Sequence, residues 1–350
     1  MCKHTRQSNI ELLRIMLMLL IIAGHIVMYS GYSSNVGDTN YYIANFIRSF
    51  TTMAVDCFVL ISGYFGLHAS IRGYLRTSCQ TWFYSVSIFI LCVLLGIHTI
   101  DLKHDIQFLA PVVTKQWWYV TIYLVLYIIS PWINKLVDSI TKQSLKILLM
   151  FLFIIFCLIP SFCYLINAQT ITNDAGYGIC NFVFLYLLGR YLNLYYNKVC
   201  SKYIYLLLWM FCGILLFASN TLLTKLFGFY FNSFISYDTI FCFCGSVFLF
   251  LFFLNINFKN NFINKISKHT LAVYLIHLHP ALSEFLFVDL LKVDSYSDWK
   301  FVVIIFIYTC VIFIICTIIE ILRKFIFYKF EIRLSKLFMK CISNIKEKIL

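Results

Sequence analysis

Arg14 and His25 lie in the first long apolar segment of the chain, which reads NIELLRIMLMLLIIAGHIVMY over residues 9–29. An α-helix turns about 100° and rises about 1.5 Å per residue, so the two side chains fall almost in line and about 16 Å apart along the axis. A guanidinium binds phosphate through paired hydrogen bonds, and an imidazole can take a proton from a hydroxyl or carry a group covalently. The pair fits an elongated, phosphate-bearing thioester, held at Arg14 and reacting with an alcohol at His25.

Each of these residues alone has a simpler interpretation. Arg14 can mark the start of the apolar segment and extend its guanidinium to the inner headgroups, and His25 can be an interhelical hydrogen bonder. Glu11, three residues before Arg14, is close enough on a helix to pair with it. The shared line of Arg14 and His25 favours a functional site, but spacing alone does not separate a thioester donor from a transported phosphorylated lipid.

Composition indicates which elements hold these residues. Of the 350 residues, 61% are hydrophobic and 12% are charged, and the mean hydropathy is +0.85. A single soluble core stops growing at about 250–300 residues, whereas apolar runs of about 20 residues are what a bilayer requires. We therefore predict an all-α, polytopic membrane protein, a bundle of about ten transmembrane helices. We place them at residues 10–30, 41–67, 80–99, 117–134, 145–166, 177–196, 203–220, 238–256, 268–290 and 301–322.

The distribution of basic residues predicts the orientation of the bundle. With ten spans, most of the 28 Lys and Arg residues fall in loops on the side that holds both termini. The positive-inside rule then places both termini in the cytoplasm, in a multi-pass protein of the cell inner membrane. This topology accounts for the net charge of +13 without a nucleic-acid partner. Residues 1–328 would form the transmembrane domain and residues 329–350 a basic amphipathic cytoplasmic tail.

The 14 cysteines do not indicate a metal site or a disulfide framework. Most lie within apolar runs, and no C-x-x-C pair is followed by a second pair at metal-binding spacing. We interpret them as small hydrophobic side chains of the membrane interior, and we predict no metal.

Four segments resemble, in the same order, the sequence blocks of the acyltransferase 3 family of integral-membrane O-acyltransferases. NIELLRIMLMLLIIAGHI is similar to the opening span of that family, in which Arg or Lys, ten residues and His form a signature met here by Arg14 and His25. The other three are AVDCFVLISGYF (residues 54–65), QWWYVTIYLVLYIISPWIN (116–134) and TLAVYLIHLHP (270–280). The resemblance covers essentially the whole chain.

This resemblance implies an O-acyltransferase, usually an O-acetyltransferase, that modifies carbohydrate of a bacterial cell envelope. Cytoplasmic acetyl-CoA would be the donor substrate, and no cofactor would be bound permanently. His25 would be the catalytic residue, and Arg14 would contact the CoA side or support the structure. The implied partners are acyl-CoA, a polysaccharide or lipid-linked sugar, and membrane lipids.

Arginines that bind the donor are expected near the cytoplasmic face. Many members of the family carry Arg-x-x-Arg there, and the nearest match in this chain, Arg72 to Arg76, is one residue longer. A helix still places residues four apart on one face, so the two guanidinium groups can form a phosphate clamp. We expect Arg14, Arg72 and Arg76 to hold the phosphates of the donor.

Two further features are predicted on the same side. Ser62 and Tyr64 flank Gly63 at the end of the second span, where a glycine permits close helix approach at an acyl-CoA entrance. Tyr64 is assigned to donor binding, although it would equally suit an interface anchor. Pro131 is expected to kink or break the inner end of the fourth span, with Ser130 satisfying freed backbone groups beside a nucleotide site.

Other residues are expected around the reacting centre. Asp56 lies within the second span and needs a partner; a structural pair with another helix is favoured over a catalytic role. Trp118 and Tyr119 open the fourth span and fit either an aromatic belt or a platform that stacks a sugar. His277 lies near mid-span and would support the centre, whereas His279, two residues on, points to a different face, which makes the pair a poor metal site.

The sequence leaves two mechanisms and one other function open. His25 would act as a general base on a sugar hydroxyl or as a transient acyl carrier. The alternative function is a carrier or flippase for a lipid-linked sugar, but such proteins often contain internal repeats. Residues 1–170 and 171–350 show no convincing similarity, which favours the enzyme. Without an extracytoplasmic hydrolase-like domain, the bundle would transfer the group directly or pass it to a separate protein.

Overall fold

A computed structural model describes the backbone of residues 6–32, 37–227 and 235–349 and the side chains of residues 6–32, 37–226 and 235–327. Throughout these ranges the secondary structure is helical, without a β-strand. The helices are α1 (Ser8–Tyr29), α2 (Thr39–Thr51), α3 (Met53–Phe65), α4 (Ile71–Leu94), α5 (Leu102–Asp105), α6 (Trp118–Ser139), α7 (Lys142–Phe153), α8 (Ile159–Leu165), α9 (Ile179–Tyr195), α10 (Lys202–Phe227), α11 (Ile240–Leu254), α12 (Asn261–Ile266), α13 (Thr270–His277), α14 (Pro280–Glu284) and α15 (Asp298–Ile349).

Within the part of the chain that the structure describes, seven helical segments are long and apolar enough to cross a membrane. An eighth is a bent pair, Asn261–His277 with Pro280–Ser295, whose parts meet at 76°. Within the described residues α11 is a shorter apolar helix of 15 residues, and α9 has 17 residues. The predicted all-α, multi-pass membrane bundle is confirmed. The number of ten spans, the side of the termini and the boundary at residue 328 stay predictions.

The helix α6 shows how a proline is accommodated within a span. Pro131 lies inside α6, which continues to Ser139, so of the kink or break expected at this proline the structure excludes the break. Proline has no N–H to donate to the carbonyl four residues earlier. Ser130 replaces that donor, because its hydroxyl donates to the carbonyl of Tyr127 at 2.8 Å. The side chain of Asn134 donates to the carbonyl of Leu67 at 3.1 Å, which ties α6 to the end of α3.

The centre of the bundle is a close contact between α3 and α9. Gly63 and Gly189 face each other there, and a Cβ at Gly189 would lie 2.6 Å from the carbonyl oxygen of Leu60. A Cβ at Gly63 would collide with the backbone of Tyr186. Small residues allow such backbone contact between membrane helices. The close approach predicted for Gly63 is therefore present, and its partner is α9.

The helix α1 lies between two clusters of buried apolar side chains. In its first half, Leu13 and Leu17 pack into a cluster with residues of α3, α9 and α11. In its second half, Ile22 and Ile26 pack into a cluster with residues of α4, α13 and α15. Leu13 and Leu17 occupy one face of α1, and Ile22 and Ile26 occupy another. The remaining face of the helix lines a cavity.

Candidate active site

A cavity of about 570 Å³ lies along α1 and contains both ends of the predicted site. Its wall on this helix is formed by Arg14, Met18, Ile21, His25 and Met28. These positions recur every three or four residues and therefore share one helix face. The structure thus brings Arg14 and His25 to the same cavity, about 16 Å apart along the helix axis, with apolar side chains between them.

His25 is held by a hydrogen bond to His277 on α13. The Nδ1 of His25 lies 3.0 Å from the Nε2 of His277, and the Nδ1 of His277 lies 2.6 Å from the carbonyl oxygen of Val273. A carbonyl only accepts, so His277 must donate from Nδ1, and in a neutral ring its Nε2 then accepts. His25 therefore donates from Nδ1 and keeps an unprotonated lone pair on Nε2.

This arrangement sets the chemistry that His25 can perform. His277 is completely buried, whereas His25 is partly exposed and lines the cavity. With Nδ1 engaged, Nε2 is the nitrogen that is free to take a proton or form a bond. By accepting the Nδ1 hydrogen, His277 fixes the orientation and tautomer of the His25 ring. In other proteins a carboxylate or a backbone carbonyl does this for a catalytic or metal-binding histidine.

At the other end of the cavity, Arg14 is placed by a small ionic network. The Nε of Arg14 lies 3.9 Å from a carboxylate oxygen of Glu11, beyond hydrogen-bond distance. Glu11 accepts closer hydrogen bonds from Arg6, at 3.2 Å, and from the hydroxyl of Ser267. Arg14 keeps 30% of its side chain exposed. Its guanidinium therefore faces the cavity without being neutralised in a tight ion pair.

We divide the cavity into two parts according to where its lining residues lie along their helices, and we name each part by its α1 residue. The Arg14 half is lined by Arg14, Ser62, Thr77, Tyr123 and Thr270. The His25 half is lined by His25, Met28, Arg48, Trp118, Tyr177 and Tyr237. Met18, Ile21, Phe58, Tyr119 and Tyr274 are among the side chains that line the passage between the halves.

Three aromatic side chains form a cluster in the His25 half. The ring centroids of Trp118 and Tyr177 lie 4.4 Å apart, those of Tyr177 and Tyr237 4.8 Å apart, and those of Trp118 and Tyr237 5.6 Å apart. The backbone N–H of Tyr237 donates to the carbonyl of Ala175, which joins the segments that precede α9 and α11. Trp118 was predicted; the two tyrosines were not, because they lie between helices where no periodic pattern marks them.

Arg48 is a further residue of the cavity that the sequence analysis did not assign to the site. It lies on α2, within the membrane span Thr39–Phe65, and lines the cavity. A charged residue inside a span is itself a signal for function. That signal was present, but the spacing within α2 gave no link between Arg48 and His25.

Several predicted residues lie outside the cavity. Arg72 and Arg76 are exposed on the first turns of α4, next to Thr77, which does line it. Tyr64 packs against Phe250, with ring centroids 5.4 Å apart. These three positions remain predictions for donor binding.

Asp56 is also away from the cavity. It is completely buried on α3, and the Sγ of Cys242 on α11 lies 3.9 Å from its carboxylate. This placement is consistent with the favoured structural role between helices. The structure does not bring Asp56 into contact with His25.

The neighbouring histidine His279 has a separate task. Its Nε2 donates to the carbonyl of Ser85 at 3.0 Å, and its Nδ1 accepts from the backbone N–H of Ala281 in the first turn of α14. His277 and His279 therefore face different partners, as their spacing predicted. Among the described residues there is no group of three or more His, Cys, Asp or Glu side chains that could hold a metal ion.

Comparison with known proteins gives one match. The family model of the acyltransferase 3 family, described as an acyltransferase domain, matches residues 7–321 of the chain. Searches of curated proteins and of solved structures found no match. The matched range includes every residue of the cavity described above.

Proposed function

Since the chain belongs to the acyltransferase 3 family and is a membrane acyltransferase, we propose that it transfers an acetyl group from cytoplasmic acetyl-CoA to a hydroxyl of a cell-envelope carbohydrate. The observation that carries this proposal is the single cavity that joins the guanidinium of Arg14 to the free Nε2 of His25. A phosphate-bearing thioester and a sugar hydroxyl can meet in such a cavity from its two ends.

The Arg14 half would bind the donor. Arg14 is available for the phosphates of CoA, because its contact with Glu11 is long. Arg72 and Arg76 are exposed beside Thr77 at this end and would extend the positive surface to the nucleotide. The pantetheine arm would follow the apolar side chains along α1, about 16 Å from Arg14 to His25, and so bring the thioester to His25.

The His25 half would carry out the transfer. Nε2 of His25 takes the proton of the acceptor hydroxyl while the hydroxyl oxygen bonds to the thioester carbon. The resulting tetrahedral intermediate expels the sulfur, which leaves as CoA thiol after receiving the same proton from Nε2. Throughout, Nδ1 of His25 donates to His277, which fixes the ring. The same lone pair on Nε2 would serve if the acyl group were first carried on His25.

The orientation predicted from the basic residues supports this assignment of a donor end and an acceptor end. The positive-inside rule places the start of α1 at the cytoplasmic face, where acetyl-CoA is found. His25 is then nearer the outer leaflet, where an exported sugar is presented. We propose on this basis a location in the plasma membrane with both termini in the cytoplasm.

The test is acetyl transfer in membranes that contain the wild type or His25→Ala, with radiolabelled acetyl-CoA and the polysaccharides of the host cell as acceptors. We expect base-labile label in the polysaccharide with the wild type and a loss of about 10²–10⁴-fold with His25→Ala, because a general base contributes about that much. Binding of acetyl-CoA should change by less than about twofold. His104→Ala, in an exposed connection outside the cavity, is the matched control.

Each contrary outcome identifies what is wrong. Equal labelling by wild type and His25→Ala would exclude His25 as the catalytic residue. Absence of ester with the wild type, together with transfer of a lipid-linked sugar across vesicles, would replace the enzyme by a carrier.

A further inference from the structure

The distance between Arg14 and His25 limits which part of a donor fits between them. Both residues line the cavity from α1 and lie about 16 Å apart along the helix axis. A fully extended polypeptide advances about 3.3–3.6 Å for every three backbone bonds. The arm of CoA, from the phosphorus next to pantetheine to the sulfur, has about 13 bonds and so spans about 15 Å when extended. A phosphate bound at Arg14 therefore brings the thioester to His25 with little length to spare.

The nucleotide end of such a donor would lie outside the cavity. With the first phosphate at Arg14, the second phosphate and the adenosine extend beyond the cavity wall. Arg72 and Arg76 are the basic residues expected to meet them, and both are exposed on α4. Exposed charges are screened by water and salt, so their contacts contribute little. The adenosine part of the donor should therefore add little to binding.

Two tyrosines of α6 line the passage between the halves and the Arg14 half beside it. Tyr119 and Tyr123 both line the cavity, and their spacing of four residues places them on one face of α6. Their rings are stacked, with centroids 6.0 Å apart. A phenol hydroxyl both donates and accepts hydrogen bonds. Each tyrosine can therefore bond an amide group of a ligand while it keeps a contact to the protein.

The depth of the two tyrosines matches the two amides of the pantetheine arm. The indole N–H of Trp117 donates to the carbonyl of Leu278, one residue after the partner of His25, so the start of α6 is level with His25. Going along α6 into the Arg14 half, Tyr119 and Tyr123 lie about 3 Å and about 9 Å from that level. The amide carbons of the arm are about four and about eight bonds from the sulfur, which corresponds to about 5 Å and about 9 Å.

We propose that the donor site recognises the 4′-phosphopantetheine part of its donor, so that acetyl thioesters of 4′-phosphopantetheine are used with or without the adenosine nucleotide. Arg14 binds the phosphate, Tyr123 bonds the amide nearer the phosphate, and Tyr119 bonds the amide nearer the sulfur. This inference rests on the function proposed above and names the chemical class of its donor. The transfer is unchanged: a C–O bond forms at the acyl carbon, the C–S bond breaks, and the hydroxyl proton passes through His25 to the sulfur.

The test uses acetyl donors that are shortened step by step. They are acetyl-CoA, acetyl-4′-phosphopantetheine, acetylpantetheine and S-acetyl-N-acetylcysteamine, which keeps only the amide nearer the sulfur. Transfer to host polysaccharide is measured as kcat/KM in washed membranes without ATP, so that no donor is converted to acetyl-CoA. We expect the first two donors to agree within about fivefold. Loss of the phosphate should lower kcat/KM about tenfold or more, because a hydrogen bond to a charged group is lost, and Arg14→Gln should abolish that step.

Two tyrosine variants test the contacts to the amides. Tyr123→Phe should lower the ratio of kcat/KM for acetyl-4′-phosphopantetheine to that for S-acetyl-N-acetylcysteamine about fivefold, because the shorter donor lacks the amide that Tyr123 bonds. Tyr119→Phe should lower kcat/KM for both donors about fivefold and leave their ratio unchanged. Tyr195→Phe, a tyrosine outside the cavity, is the matched control and should leave both values as in the wild type.

Three results would overturn the inference. If acetyl-4′-phosphopantetheine is poorer than acetyl-CoA by more than about fivefold, the enzyme stands but its site recognises the nucleotide. If neither Tyr119→Phe nor Tyr123→Phe differs from Tyr195→Phe, the two amides are not bound by these hydroxyls. If the wild type forms no ester from acetyl-CoA, the proposed function fails, and this inference with it.

Discussion

The two halves of the cavity are built from different kinds of structure. The Arg14 half is formed by side chains that lie on helices, and Arg14 lies beside Glu11 of its own helix, which accepts a hydrogen bond from Ser267. The aromatic cluster of the His25 half draws on two connections between helices, which supply Tyr177 and Tyr237. A donor that does not vary can be bound by side chains of the helices, which change little. Connections between helices can change in sequence without disturbing the packing of the bundle, so they suit a reactant that varies. Under the proposed function, donor binding would depend on the helices of the fold, and the choice of acceptor would depend on the connections between them.

The largest effect that would test this comparison concerns His277, the residue that holds the ring of His25. His277→Leu removes the acceptor for the Nδ1 hydrogen of His25, so we expect kcat to fall about 100-fold with KM values for both substrates within about twofold of wild type. His277→Gln offers a side-chain oxygen in its place and should recover at least about tenfold of the loss. Steady-state kinetics with both substrates measures this. Equal loss in the two variants would mean that His277 only fills space.

A second pair of variants should separate the halves. Arg14→Gln should raise KM for acetyl-CoA about tenfold and leave that for the acceptor unchanged, since a hydrogen bond to a charged group contributes about 1.5–3 kcal/mol. Trp118→Leu should do the reverse, because Trp118 lies in the His25 half. The two substrate titrations on the two proteins provide the measurement. If Trp118→Leu raises KM for acetyl-CoA as much as Arg14→Gln does, the division into donor and acceptor halves is wrong.

A smaller effect is expected from the aromatic cluster. Tyr237→Leu removes one ring from the platform but keeps an apolar side chain, and should raise KM for the acceptor about five- to tenfold, within the range for loss of a stacked aromatic. KM for acetyl-CoA serves as the internal control. Tyr195→Leu is a matched variant, because Tyr195 is a tyrosine that does not line the cavity. A change in donor binding by Tyr237→Leu would contradict the assignment.

The smallest effect is expected outside the cavity, at the exposed pair His104 and Asp101. Their hydrogen bond of 2.6 Å raises the pKa of His104 above its usual value and lowers the pKa of Asp101. The stabilisation from His104 is present below its unfolded pKa, about 6.5, and is lost as the pH rises through the raised value. His104→Asn should therefore lower Tm slightly near pH 6 and leave it unchanged near pH 9, with no effect on transfer. A thermal melt at both pH values measures this, and an equal shift at the two would indicate a structural role.

The sequence predicted the parts of the site that follow from a regular helix. Positions 14 and 25 share a line because of helical geometry, and the all-α membrane class follows from apolar runs. The helix break at Leu278–His279 was not predicted, although Pro280 follows it. An apolar pattern predicts that a segment enters the membrane. It does not predict whether the helix in that segment is straight or bent.

The sequence analysis expected His277 to support the reacting centre, but the atoms through which distant segments meet could not be predicted. His25 and His277 are 252 positions apart, and their hydrogen bond depends on how α1 and α13 pack. Tyr177 and Tyr237 carry no local pattern, because their place is set by the ends of α9 and α11. Arg72 and Arg76 were predicted from motif spacing, and spacing alone did not show that they lie outside the cavity wall.

The break after α13 also has an electrostatic consequence. A helix that ends inside a membrane presents its last carbonyl groups there, with about half a negative charge at that terminus. His277 is the final residue of α13, and its partner His25 becomes positively charged whenever Nε2 holds a proton. In the proposed reaction the terminus of α13 would therefore supply a negative dipole end beside the imidazolium of His25, without an acidic side chain near the anionic donor. The carbonyl groups at the bend of 76° would thus stabilise the positive charge on His25 in the proposed reaction, as solvent dipoles do in water.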